Sequence, residues 1–96
     1  MKKNNITYEL VRVIWMDAEE EGDTGWNDFK TIKNYAKKPC PEMHSVGYVV
    51  FKNEHHISLV SSISKDNKHS STCEKIPIAF VKEIISLCPK KGSKGK

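Results

Sequence analysis

The chain lacks the features that would mark a membrane protein, a secreted scaffold or a catalyst. Its 96 residues hold no apolar run near the ~20 needed to span a bilayer. Residues 1–20 have neither the apolar stretch nor the small-residue cleavage site of a secretory leader, so a soluble, cytoplasmic protein is expected. Cysteine is sparse and odd in number: Cys40, Cys73 and Cys88 fit free thiols in a reducing compartment and not a disulfide framework. There is no phosphate-cradling glycine loop, no paired-histidine helix motif and no Gly-x-Ser-x-Gly turn. Cys40-x3-His44 and His69-x3-Cys73 could together supply two sulfurs and two nitrogens to a tetrahedral metal. Both lie in segments that read as loop or strand edge, and exposed histidines beside partly buried thiols are the preferred reading. Cys40 with His44 also lacks the third, orienting group a nucleophile needs. No cofactor, no metal and no enzymatic activity are expected.

Apolar surface is scarce as well. Hydrophobic residues make up 38% of the chain and the mean hydropathy is −0.57, which leaves a thin core for one small domain. Such a domain gains stability by burying surface against copies of itself, so a homo-oligomer, a dimer or a tetramer, is expected. The formal net charge is +4, but Lys90, Lys91, Lys94 and Lys96 account for all of it and residues 1–89 are neutral. A nucleic-acid groove wants clustered cations on the folded surface; here Asp17, Glu19, Glu20, Glu21 and Asp23 crowd one loop. Nucleic acid is therefore disfavoured as a partner. Residues 89–96 read as a disordered lysine-rich tail, 1–6 as a polar lead-in, and 7–88 as the domain.

What is present points to short strands. Residues 8–15 are rich in β-branched and aromatic types and read as a strand with Val11, Val13 and Trp15 on one side. Residues 17–26 offer turn residues without periodicity and form a loop. From Asn27 or Asp28 as N-cap, Phe29, Ile32 and Ala36 recur at helical spacing. Lys37 and Lys38 complement the dipole before Pro39 ends the helix. Strands near 45–52 and 56–64 flank a tight turn at 53–55 and make a hairpin. A last strand region covers 74–87, with Pro77 marking an edge or end and 79–81 a single turn. The fold expected is α+β, mainly β: a strongly bent antiparallel sheet closing into a small SH3-like or Sm-like barrel with one short helix. An open α+β meander is the alternative.

Binding is better supported than chemistry. Trp15, Trp26 and Tyr48 offer flat faces for a base. Asp17 can accept from a base edge or ribose hydroxyl, and Arg12, Ser45, Thr72 and Lys75 are donors of the kind that hold phosphate oxygens. Each has a plainer use: Trp15 as core, Trp26 as a plug at the barrel end, Asp17 as an Asx-type cap of its own loop, Ser45 as the finish of a strand ladder.

These residues also carry a resemblance. Val13-Ile14-Trp15-Met16-Asp17, Gly25-Trp26, Ser45-Val46-Gly47-Tyr48-Val49-Val50 and Ile76-Pro77-x-x-Phe80-Val81 resemble a family of small single-domain proteins encoded by tailed bacteriophages. The likeness covers nearly the whole chain except its two lysine-bearing ends. Some members of that family are anti-CBASS sponges of the fourth kind. The resemblance implies a phage anti-defence protein in the host bacterial cytoplasm. Such a protein binds and sequesters a cyclic dinucleotide such as 3′,3′-cyclic GMP-AMP, without cleaving it and so without a catalyst. A two-fold ligand of this kind suits a site in a homo-oligomer. A small nucleic-acid-binding or host-protein-interaction module is the rival reading.

Overall fold

The alternation of valines in the first strand requires a covered face, and the way that cover is supplied defines the fold. A computed structural model describes residues 7–87; the lead-in at 1–6, Cys88 and the tail at 89–96 lie outside the described residues. Five strands follow in order: β1 (Leu10–Met16), β2 (Glu42–Lys52), β3 (His56–Val60), β4 (Cys73–Pro77) and β5 (Val81–Ser86). One helix, α1 (Phe29–Ala36), lies between β1 and β2, and a 3-10 turn, Ile78–Phe80, separates β4 from β5. All strands form one antiparallel sheet in the order β4-β3-β2-β1-β5. This is a meander whose last strand returns to pair with the first, the connectivity expected of an SH3-like barrel.

Val11, Val13, Ile57, Leu59 and Ile76 are almost wholly buried and form the core, joined by Trp15, Val49, Ile78, Val81 and Ile84. No residue of α1 is buried, so among the described residues this face is covered by the sheet itself and by Ile78 of the 3-10 turn. Two irregularities help the sheet bend, between Ile14 and Trp15 where β1 meets β5 and between Val49 and Phe51 where β2 meets β3. Bulges of this kind sharpen local twist. Gly47 lies where β2 comes closest to β3: a Cβ there would sit 2.8 Å from the Val60 carbonyl oxygen.

One boundary departs clearly from the sequence expectation. The third strand stops at Val60, short of 64, because Ser71 Oγ accepts from the backbone N–H groups of Ser61 and Ser62 at 2.9 and 3.2 Å, diverting the chain. As the expected turn at 79–81 implies, the 74–87 region divides into two strands, because Pro77, at φ −61°, leads into the 3-10 turn. Ile78 N–H donates to the His55 carbonyl at 2.9 Å, so by alternation Pro77 turns its missing N–H to the sheet's free edge, where no ladder bond is lost. Finally, α1 is an amphipathic helix that does not pack into the core. Asp28 caps it, accepting from Thr31 N–H at 3.1 Å and from its hydroxyl at 2.8 Å.

Candidate functional site

The antiparallel register sorts the candidate residues onto different surfaces. Trp15 and Ser45 lie on the core side of the sheet, where Trp15 Nε1–H donates to Ser45 Oγ at 3.0 Å and the indole packs against the core. Each satisfies the other. Asp17, just past β1, accepts from Ala18 N–H at 2.9 Å, while its own N–H donates to the Pro41 carbonyl at 2.9 Å. That bond clasps the base of a 17–41 arm. Trp26 lies far out on the arm, fully exposed, and plugs nothing. Thr72 is exposed ahead of β4, and Lys75 stands on β4 opposite Ser58.

Arg12 and Tyr48 are the pair that the fold makes neighbours. Leu10 pairs with Tyr48 and Arg12 with Val46, so Arg12 and Tyr48 are diagonal on the outer face, within reach of long side chains. Tyr48 also forms one wall of an open groove of about 510 Å³ lined by Thr7, Tyr8, Tyr48, Ser61, Ser62, Ile63 and Asn67. A smaller hollow of about 200 Å³ continues it, sharing Tyr8, Ile63 and Asn67 and adding Lys68 and His69 at its far end.

The opposite wall is a miniature hairpin built from serines. Ser71 N–H donates to the Ser62 carbonyl at 3.0 Å and Ser64 N–H to the His69 carbonyl at 2.8 Å, with Ile63 and Ser70 bridged between them. At its tip Asn67 takes φ +61°, the left-handed conformation that asparagine tolerates better than most side chains. Ser64 Oγ–H donates to Asp66 Oδ1 at 2.6 Å, and the same oxygen accepts from Lys68 N–H at 3.0 Å. Those bonds, the Ser64 hydroxyl first, hold the Asp66 carboxyl below its usual range. The hairpin is thus set by its own side chains before any ligand arrives.

The groove offers two phenol rings, hydroxyls and a carboxamide, with no carboxylate in its lining and with Lys68 and His69 in the adjoining hollow. It can stack a flat ring and donate to phosphate or base-edge acceptors. The cavity of about 500 Å³ beside α1 is lined by Glu20, Glu21, Asp23 and Asp28, a wall that repels a phosphate. His44 Nε2 contacts Glu42 Oε2 at 2.9 Å, and Lys82 Nζ donates to Glu42 Oε1 at 2.9 Å. Hydrogen bonds from His44 and then Lys82 lower the Glu42 pKa. His44 is therefore engaged by Glu42 and not by Cys40. Among the described residues no group of three or more His, Cys, Asp or Glu is placed to hold a metal ion, and no helix is long and apolar enough to cross a membrane.

Tyr8 and the serine hairpin escaped the sequence reading. Tyr8 precedes β1 but keeps its alternation, two residues ahead of Leu10 on the outer face. The cue for the hairpin was available: Ser61, Ser62 and Ser64 mirror Ser70, Ser71 and Thr72 across the turn residues Asp66 and Asn67. Comparison of the chain with protein-family models, with curated proteins and with solved structures returns no match.

Proposed function

We propose that this protein binds and sequesters a cyclic dinucleotide signal in the groove between Tyr8, Tyr48 and the serine hairpin, without cleaving it. The observation that carries the reading is the pairing of two aromatic rings with hydroxyl and amide donors in an open groove free of carboxylates. Its volume lies within the ~300–1,000 Å³ of small-molecule sites. Tyr8 and Tyr48 supply the stacking surfaces, Ser61, Ser62 and Asn67 the base-edge or ribose contacts, and Lys68 with His69 the phosphate end. The platform and recognition roles expected of Trp15 and Ser45 pass to Tyr8 and Ser61, because the former pair is spent on the core side. The choice of a cyclic dinucleotide such as 3′,3′-cyclic GMP-AMP, and with it a phage anti-defence role in the host cytoplasm as a homo-oligomer, rests on the family resemblance of the quoted segments.

The test is to incubate the protein with a panel of cyclic nucleotides and a single-stranded RNA, measure binding, then heat-denature it and analyse what is released. Intact cyclic dinucleotide is the expected product. Altered nucleotide would mean an enzyme, and RNA binding alone a nucleic-acid module. Binding of none of them would leave the host-protein-interaction reading, which the exposed Trp26 favours.

A further inference from the structure

Two surfaces of this chain lack cover, and their chemistry is complementary. The first is the outer face of the sheet around Arg12. Leu10 and Ile14 flank it along β1, Val46 and Ile85 oppose it on β2 and β5, and Leu87 follows beside Leu10, to whose carbonyl its N–H donates at 2.8 Å. Val46 is 54% exposed and Leu87 39%. At the centre of this apolar patch, Arg12 Nε is buried with no hydrogen-bond acceptor, and Arg12 joins no ion pair among the described residues. A buried donor left unpaired is costly; Glu83, opposite Ile14 on β5 and diagonal to Arg12 on this face, forms no ion pair with it, so the patch suits an occupant that brings apolar surface and an acceptor together.

The second surface is the 17–41 arm, which has both. Trp26 is fully exposed and Phe29 71% exposed, and Glu19, Glu20, Glu21 and Asp23 precede them in the same loop. Local hydrogen bonds order the arm. Asn27 exchanges hydrogen bonds of 3.0 Å with the backbone of Asp23, and Asp28 caps α1. Burial and a hydrogen bond to Glu19 raise the Tyr35 pKa. Residues 18–31 are exposed throughout, so the arm is held out from its own sheet.

We infer that the occupant is a second copy of this chain: the arm of one copy seats Trp26 and Phe29 on the outer-face patch of its partner and brings an arm carboxylate to Arg12. A two-fold axis makes the exchange reciprocal, so one dimer contains two identical joints. None of these residues lines the Tyr8–Tyr48 groove, although Leu10 and Arg12 adjoin Tyr48 on the same face.

Sedimentation equilibrium tests it. The wild-type chain is expected to dimerise at micromolar concentration. Trp26→Ala, which disables the arm, and Val46→Glu, which disables the face, should each weaken self-association about thirtyfold or more, as loss of an interface anchor does, with an unchanged circular dichroism spectrum. Mixing the two variants is the sharper measurement. A Val46→Glu copy still has an arm and a Trp26→Ala copy still has a face, so the mixture should form a heterodimer through one intact joint that neither variant forms alone. A wild-type monomer at high micromolar concentration overturns the proposal, as does a dimer indifferent to both substitutions or a mixture that fails to associate.

Discussion

Gly47 and Trp15 show how single residues hold this small domain together. The Cβ that alanine would add at position 47 meets a backbone oxygen, Val60 O at 2.8 Å, and backbone cannot swing aside as a side-chain tip can. Gly47→Ala should therefore destabilise the fold by ~1–3 kcal/mol, the usual cost of overpacking, measured by urea denaturation with an unchanged slope. Trp15 is bound to the core by packing and by one bond to Ser45. Ser45→Ala removes the acceptor from a partly buried indole N–H and should cost ~1 kcal/mol in the same assay. If nucleotide affinity, once measured, falls with Ser45→Ala by more than the loss of folded protein explains, the assignment of Ser45 to the core side is wrong. Trp15 and Ser45 looked like ligand contacts because residue type shows capacity and not direction. Alternation with Val11 and Val13 already favoured the core side for Trp15, whereas for Ser45 only the register, which pairs it with Val13, makes that assignment.

The elements themselves were largely legible. β-branched alternation located β1, the prolines and glycines located the turns, and the Asn53 turn behaves as expected, with its side chain accepting from His55 and His56 N–H at 2.8 and 3.0 Å. Local chemistry settles each of these, which is why sequence suffices. The serine hairpin left only its mirrored serines as a cue, because its hydroxyls bond to backbone and to each other, and serine-rich segments read as loop whether ordered or not. The absence of packing under α1 was equally hidden, since helical periodicity marks an apolar face without saying what covers it. At this scale Glu42 offers a pH test, because it ties the start of β2 to Lys82 of β5 and holds His44. Its pKa is lowered in the folded state, so its contribution is complete above the ordinary carboxylate range and is lost as pH falls through the lowered value. Glu42→Gln should lower stability near neutrality and converge with the wild type at acid pH, which flattens the acid side of the profile, as read by thermal melts from pH 3 to 7. A parallel acid limb in the variant would show that the tie contributes nothing.

For the whole molecule, the thin core expected from composition is what the sheet provides. A few aliphatic side chains are fully buried, while most aromatic residues, Trp15 excepted, are left outside the core. That distribution suits a protein that works through its surface and by mass action. The groove between Tyr8 and Tyr48 is the central claim, and it is tested most directly by titrating 3′,3′-cyclic GMP-AMP into the wild-type protein and into Tyr48→Ala by isothermal calorimetry, with folding of both checked by circular dichroism. Saturable wild-type binding, weakened in Tyr48→Ala by ~1–3 kcal/mol, about one to two decades in affinity, is the expected result. Absence of wild-type binding, or equal affinity in the folded variant, would contradict it.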